Sequence, residues 1–192
     1  RFMPFSDRVD YMSILRQMYG ALFRLNVEAD FVTPQTADLS RYKVLLVPPL
    51  YVSSDAVLDR IARFVERGGH VVMAFKSGFA DDDSTVRWGR APGKLRQAAG
   101  FSYQEFSRLA EPVGLKPDRY RLAGENRSST WAELILPETA EVLASYDHPF
   151  FGKFPALTRN RHGRGTLTYE GTVLTDELQQ AVVREALTAS GL

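Results

Sequence analysis

Ser77 stands where an α/β enzyme would carry a nucleophile. It lies in the turn Lys76-Ser77-Gly78-Phe79, directly after an apolar segment with the composition of a strand, and sharp strand-to-turn positions expose catalytic side chains in that class. However, Ser77 lacks the flanking glycine on its N-terminal side that a nucleophile elbow needs, and no histidine has an evident claim to be its base. The favoured interpretation is a hydroxyl that satisfies backbone groups of the turn. A serine hydrolase or amidotransferase-like enzyme using Ser77 is the alternative.

Few residues are available for metal or thiol chemistry. The chain has no cysteine and three histidines, which excludes disulfides, thiolate metal sites and a cysteine nucleophile. The run Asp81-Asp82-Asp83 has the oxygen ligands that calcium or magnesium prefers. Consecutive side chains point in different directions, however, and the glycine and distal glutamate of a calcium loop are missing. We therefore predict a solvated acidic loop, with no metal and no cofactor.

Two further groups of side chains have the chemistry to bind ligands. A short basic cluster consists of Arg159, Arg161, His162 and Arg164. The 24 basic and 23 acidic residues leave a net charge of +1, which argues against nucleic acid as a partner. Trp88 and Trp131 could stack on sugar rings, so a carbohydrate-binding module is a second alternative. The glutamates form no recognisable pair of the kind that glycosidases use.

The helices and strands that carry these candidate residues determine which of their side chains lie close together. An apolar stripe at alternating steps of four and three predicts a first helix, with Ser6 or Asp7 as its N-cap. The stripe comprises Tyr11, Leu15, Met18, Leu22 and Leu25. Alternating apolar residues predict a short strand at residues 27–32, and a continuous apolar run predicts a buried strand at residues 42–47.

A strand–helix–strand unit follows. Ser53 or Ser54 caps a helix that Gly68-Gly69 ends, and residues 70–75 have the apolar, β-branched composition of the next strand. Two buried strands separated by one helix pair in parallel through a right-handed crossover. The predicted fold class is therefore α/β, with a mostly parallel sheet flanked by helices.

The second half of the chain consists of shorter elements. A short helix at residues 95–99 ends at Gly100, and a terminal helix has an apolar face that begins at Leu174. Four strands are predicted between these helices, at residues 131–136, 141–146, 156–160 and 166–169. The turn at residues 162–165 joins the last two strands as a hairpin.

Length and composition favour one domain over residues 1–192, of which 44% are hydrophobic. The longest nearly unbroken apolar run, residues 44–52, contains two prolines and falls far short of the ~18 residues that a membrane helix needs. Nothing at the N-terminus has the pattern of a signal peptide. We therefore expect a cytoplasmic domain, and the start at Arg1 rather than Met indicates a segment of a longer protein.

Four segments resemble one family in their order and spacing. The first, residues 42–51, is a strand that leads into Pro48-Pro49-Leu50-Tyr51, and the second, residues 63–72, is a helix, a glycine pair and a strand. The third is the turn at residues 75–81, and the last is the hairpin at residues 155–172. Together they are similar to the β-galactosidase trimerisation domain, the middle domain of glycoside hydrolase family 42 enzymes, over about residues 11–192.

The resemblance implies a three-layer fold like that of flavodoxins and class I glutamine amidotransferases, with an antiparallel hairpin near the C-terminus. It also implies that this module does no chemistry itself. In that family, two glutamates hydrolyse terminal β-D-galactosides with retention of configuration, and both lie on a separate (β/α)-barrel domain that precedes this one. An amidotransferase-type site would need a cysteine, which this chain lacks.

The partners implied by the resemblance are further copies of the same chain, in a homotrimer, and the N-terminal barrel domain. Neither nucleic acid nor a membrane is expected. Contacts of a closed three-fold assembly are head-to-tail, so two different patches of one module must match each other. The long loop at residues 80–93 is the predicted contact. The interface residues predicted in and beside it are Phe79, Arg87, Trp88 and Arg90.

Overall fold

A parallel strand–helix–strand unit opens the sheet, as predicted from the sequence. The computed structural model describes residues 10–192 of the chain. Within them, the helices are α1 (Tyr11–Arg24), α2 (Asp55–Glu66), α3 (Arg96–Ala99) and α4 (Asp176–Ala189), with short 3-10 helices at Gly93–Leu95 and Ala123–Glu125. The strands are β1 (Val44–Val47), β2 (His70–Ala74), β3 (Phe101–Ser102), β4 (Phe106–Arg108), β5 (Val113–Lys116), β6 (Arg127–Glu133), β7 (Leu136–Pro137), β8 (Glu141–Tyr146), β9 (Pro155–His162), β10 (Gly165–Glu170) and β11 (Thr172–Leu174). β1 and β2 pair in parallel, with α2 between them in the chain.

The predicted ends of α2 are confirmed. Its N-cap is Ser54, whose side chain accepts a hydrogen bond from the Val57 N–H at 3.3 Å. At the other end, Gly68 adopts φ 111°, and the Gly69 N–H donates to the Phe64 carbonyl at 2.9 Å. Because the glycine pair satisfies carbonyls of the last turn, the helix stops there and β2 begins at once.

The α/β class and a sheet flanked by helices are confirmed, but the parallel arrangement covers less of the sheet than predicted. The strand order is β1-β2-β10-β9-β8-β5-β6-β11, with β4 also paired to β6. β10 joins β2 in parallel, and the strand pairs beyond it are antiparallel. Parallel neighbours need a long crossover. Between α3 and α4 the structure has no α-helix that could form such a crossover, only the 3-10 turn Ala123–Glu125. The strands in this part of the chain therefore pair as antiparallel neighbours.

Helices cover both faces of this sheet. Side chains alternate along β2: Val72 and Ala74 belong to the core that α1 and α4 cover, whereas Val71 and Met73 belong to the core under α2 and α3. A smaller cluster between α1, α4 and the β1 edge contains Leu22. The chain therefore has three layers: two helices, the sheet, and two more helices.

Two predictions about the first thirty residues need correction or fall outside the structure. Residues 27–32 are not a strand; they form no strand pair, and Phe31 instead stacks on Tyr19 with ring centroids 5.6 Å apart. Ser6 and Asp7 lie outside the described residues. The N-cap of α1 is Asp10, whose side chain accepts a hydrogen bond from the Ser13 N–H at 2.7 Å. None of the described helices is both long and apolar enough to cross a bilayer.

Candidate functional site

The turn after β2 is the place where this fold would present a nucleophile. In that turn Lys76 adopts the left-handed conformation, with φ 57°, as does Gly78, with φ 71°, whereas Ser77 does not. The Ser77 hydroxyl is completely buried; it donates to the Ala74 carbonyl at 2.7 Å and accepts from the Leu50 N–H at 3.1 Å. Ser77 therefore satisfies backbone groups of two neighbouring turns, and the geometry gives it no general base.

A buried carboxylate, Glu133 on β6, organises this turn. One of its oxygens, Oε1, accepts the Lys76 N–H at 2.8 Å, and the other, Oε2, accepts the Tyr169 hydroxyl at 2.8 Å. The Tyr103 hydroxyl faces the same carboxylate. Burial raises the pKa of Glu133 to about 7, although these hydrogen bonds and the nearby ammonium of Lys76 oppose the rise.

The Lys76 side chain lies among aromatic rings. Its Nζ is 3.2 Å from the ring centroid of Phe106, 3.6 Å from that of Phe79 and 4.8 Å from that of Trp131. Such contacts stabilise a cation that has lost its water. Burial nevertheless lowers the pKa of Lys76 to about 7, against the attraction of the Glu133 carboxylate.

This cluster has the components of an active site but no access for a substrate. Ser77 and Glu133 are fully buried, and Lys76 exposes 2% of its surface. Two grooves on the surface, one beside α3 and one beside α1, are lined by other residues. We conclude that the cluster holds the β2 turn against β6 and β10. The described residues also contain no group of three or more His, Asp or Glu side chains that could hold a metal ion.

Local sequence patterns do not predict this cluster. Glu133 appears in the sequence as one of several unpaired glutamates, and its role depends on Lys76 and Tyr169, which are 57 and 36 positions away. The sequence does place Glu133 inside a predicted strand, at residues 131–136, and this position is the signal for its burial. A carboxylate within an apolar strand is buried only when partners surround it, and local sequence does not identify those partners.

The other candidate ligands have structural partners. The Asp81 carboxylate accepts the N–H groups of Asp83 and Thr85 at 3.1 and 2.9 Å, which closes its own loop. The Nδ1 atom of His70 lies 2.9 Å from the Thr166 hydroxyl on the adjoining strand β10. Trp131 is buried in the core and cannot stack on a sugar at the surface.

The basic cluster near the last hairpin does not converge on one ligand. Arg159 bonds to Glu185 on α4 at 2.7 Å, while Arg164 donates to the Arg67 carbonyl at 2.8 Å. Arg119 and Tyr120 also donate to Glu185. Burial acts to raise the pKa of Glu185, but the hydrogen bonds from these three donors outweigh it and lower the pKa to about 2.

Glu185→Gln should therefore destabilise the domain at neutral pH by roughly 2 kcal/mol. The pKa of Glu185 is depressed in the folded state, so its contribution is present above the ordinary value of 4.5 and is lost as the pH falls towards 2. Thermal denaturation of both proteins from pH 7 to pH 3 measures this. Glu141→Gln is the control, because Glu141 contacts the same Arg119 at 3.5 Å on an exposed surface. An unchanged Glu185→Gln deficit at pH 3 would contradict the assignment.

The loop at residues 80–93 is anchored at its base and exposed at its tip. Arg87 bonds to Asp55 at the start of α2 and donates to the Ser53 carbonyl at 2.6 Å. Phe79 is held between Tyr51 and Phe106. Trp88 is fully exposed, and Arg90 is exposed beside it. Of the four predicted interface residues, two thus fix the loop and two are available at its surface.

Comparison with known proteins identifies relatives along almost the whole chain. The sequence model of a family described as "Beta-galactosidase trimerisation domain" matches residues 3–192. The chain is 35% identical over 166 residues to the β-galactosidase BgaB of a Geobacillus species, an alignment that covers 86% of this chain and 24% of the relative. The chain thus spans about a quarter of the length of this curated relative.

Solved structures show the same fold. The β-galactosidase of Bacillus circulans sp. alkalophilus matches with a TM-score of 0.89 and 30% identity, over 97% of this chain and 28% of that one. The β-galactosidase of the haloarchaeon Halorubrum lacusprofundi matches with a TM-score of 0.88 and 28% identity, over 99% of this chain and 28% of that one.

Proposed function

Because this chain belongs to the β-galactosidase trimerisation domain family, we propose that it holds three copies of a longer β-galactosidase together while the glycosidic bond is broken elsewhere in that protein. The observation that carries this proposal is the closed cluster at the β2 turn. The position that would present a nucleophile is filled by Lys76, Glu133 and aromatic rings, with no path for a substrate. The domain's function must then lie in its surface.

The activity proposed for the parent protein comes from its relatives. Those named above are β-galactosidases three to four times longer than this chain. Hydrolysis in such an enzyme needs two carboxylates that face each other across an open cleft. The buried Glu133 does not meet that condition, so we assign the two catalytic glutamates to a separate barrel domain of the parent chain.

The finer fold assignment is also part of the proposal. A non-glycine residue in the left-handed conformation directly after a parallel strand, as at Lys76, supports a relation to the class I glutamine amidotransferase-like fold. Such a backbone conformation is uncommon for a lysine. We interpret the turn as an elbow that keeps its shape without a nucleophile.

We place one subunit contact at the tip of the loop at residues 80–93. Exposed tryptophans that are held by a rigid base are typical anchors of protein interfaces. Trp88 fits this description, since Arg87 fixes the loop to α2 directly beside it. In a three-fold assembly its partner is a different patch on the next subunit.

Trp88→Asp in the parent enzyme should weaken the trimer. Loss of an interface anchor costs about 2 kcal/mol or more, which is a rise of roughly 30-fold in the subunit dissociation constant. Light scattering across a dilution series measures the mass of the assembly. The matched control is Phe150→Asp, because Phe150 is also strongly exposed but lies outside the loop.

The two variants separate the possible outcomes. If Trp88→Asp dissociates at higher concentration than Phe150→Asp, the loop is a subunit contact. Equal masses for both variants at every dilution would refute the contact at Trp88 but leave assembly intact. A parent enzyme that is monomeric without any substitution would refute the proposed function itself.

A further inference from the structure

The groove beside α3 begins where the loop at residues 80–93 ends. It has a volume of about 400 Å³ and lies between residues 93–97 and the segment Glu138-Thr139. The Gly93 N–H, at the rim of the groove, donates to the Arg90 carbonyl of the loop at 3.0 Å. The groove and the exposed part of the loop therefore form one continuous surface, and the groove has room for one indole ring.

The two sides of this groove are fixed to each other by hydrogen bonds. The Gly100 carbonyl, just after α3, accepts three successive N–H groups from residues 138–140, at 2.8 to 3.0 Å. Asn160 on β9 joins the same two segments: its side-chain amide donates to the last turn of α3 at 3.0 Å, and its side-chain oxygen accepts the Thr139 hydroxyl at 3.1 Å. Because the groove is already formed in the single subunit, a partner binds there without the cost of ordering it.

The guanidinium of Arg96 forms a flat, positively charged surface in the groove. Its Nε lies 2.8 and 3.1 Å from the two carboxylate oxygens of Glu138, and its Nη2 lies 2.8 Å from one of them. This pairing holds the guanidinium in one plane and leaves the side chain half exposed. An aromatic ring that stacks on such a group gains a cation–π contact. No ring from residues 10–192 lies over Arg96.

Trp88 has the complementary chemistry. Indole is the aromatic ring that attracts a cation most strongly, and the fully exposed Trp88 packs against no described part of its own subunit. The loop also holds Trp88 in place, because the Arg87 N–H donates to the Phe79 carbonyl at 3.0 Å and the Ala91 N–H donates to the Tyr103 carbonyl at 3.1 Å. Only three residues lie between these two hydrogen bonds, at 88–90, so the ring that fills the groove comes from another molecule.

We propose that the Trp88 indole of one subunit stacks on Arg96 in the groove of the next subunit, and that three such contacts close the trimer. The inference rests on the proposed function, because it names the surface that receives the loop contact. Each subunit donates one tryptophan and receives one, as a head-to-tail contact requires. Tryptophan and arginine are also the residues that most often dominate the binding energy of interfaces, and such residues tend to pair across them.

Photo-crosslinking in the parent enzyme tests this pairing directly. The variant Trp88→p-benzoylphenylalanine keeps an aromatic side chain and, under ultraviolet light, bonds to C–H groups within its reach. We expect covalently joined subunits on a denaturing gel, and mass spectrometry should place the crosslink in residues 93–100 or 138–139 of the neighbouring subunit. Phe150→p-benzoylphenylalanine is the matched control, since Phe150 is also strongly exposed, and it should give no crosslink to these residues.

Every other result of the crosslinking decides against the pairing. Crosslinks between subunits that all fall outside residues 93–100 and 138–139 would overturn the inference and leave the assembly intact. A trimer in which Trp88→p-benzoylphenylalanine joins no subunits would overturn it as well. A parent enzyme that is monomeric without any substitution would refute the proposed function, and the pairing with it.

A double-mutant cycle on the trimer measures whether Trp88 and Arg96 act on each other. Arg96→Gln should raise the subunit dissociation constant about tenfold in the natural parent. In the Trp88→Asp background it should change the constant by less than about twofold, because the ring that Arg96 contacts is gone. Arg41→Gln is the control: Arg41 is also exposed and is paired with one carboxylate, Asp30, at 2.6 Å, and its effect should stay within about twofold in both backgrounds. Equal effects of Arg96→Gln with and without Trp88 would overturn the inference.

Discussion

Gly165→Ala is expected to prevent stable folding of the domain. A Cβ at this position would lie 2.0 Å from the Gly69 carbonyl oxygen and 2.4 Å from the Val65 carbonyl oxygen. Both are backbone atoms at the junction of α2 and β2, so no side chain can rotate away to make room. The expected cost is about 4 kcal/mol or more, which lowers the melting temperature by roughly 10 °C or prevents recovery of folded protein.

Gly89→Ala is the matched control, because a Cβ there meets no atom within 4 Å. Its melting temperature in a thermal scan should stay close to that of the natural chain, within about 0.5 kcal/mol of stability. Similar melting temperatures for the two variants would contradict the close approach of β10 to the end of α2. That approach is what seats β10 beside β2 as a parallel neighbour.

The elements whose ends are marked by specific residues could be predicted from the sequence. α2 begins after Ser54 and ends at Gly68-Gly69, and both signals act within a few residues of the helix end that they define. The predicted strand at residues 141–146 coincides with β8. In these cases the local pattern contains the whole reason for the structure.

Strand direction and the shortest strands could not be predicted, because they depend on distant partners. β3 and β7 have two residues each, too few for any periodicity. β11 is buried at all three positions, so it shows no alternation. The pattern at residues 27–32 does alternate, but a strand forms only when a neighbour supplies hydrogen bonds, and the described part of the chain has none at that place.

The buried cluster at the candidate site could not be predicted from the sequence for a similar reason. The sequence points to the turn after β2 but favours Ser77 as its candidate side chain, and the Ser77 hydroxyl is bonded to the backbone. Lys76 and Glu133 have ordinary surface-residue identities, and only the folded sheet brings them together inside the core. Long-range burial of a polar pair leaves no local trace in the sequence.

Glu133→Ala should strongly destabilise the domain without changing the chemistry of the proposed parent enzyme in the molecules that remain folded. The substitution removes the acceptor of the Lys76 N–H and of the Tyr169 hydroxyl, and it leaves the Lys76 ammonium buried without this carboxylate. Removing one member of a buried polar pair costs about 3 kcal/mol or more. Thermal denaturation measures the loss, and kcat of the proposed parent enzyme for a β-galactoside, per folded molecule, measures the chemistry.

Two further variants make the result decisive. Glu138→Ala removes a carboxylate whose bond to Arg96 is exposed, and its cost should stay below about 1 kcal/mol. Glu133→Gln keeps an oxygen for the Lys76 N–H and should lose less stability than Glu133→Ala, which preserves a folded sample if the alanine variant does not fold. Because Glu133 is closed off from solvent, kcat should be unchanged in every variant that assembles. A 100-fold fall in kcat for Glu133→Gln at an unchanged melting temperature would place Glu133 in the chemistry and refute the scaffold role.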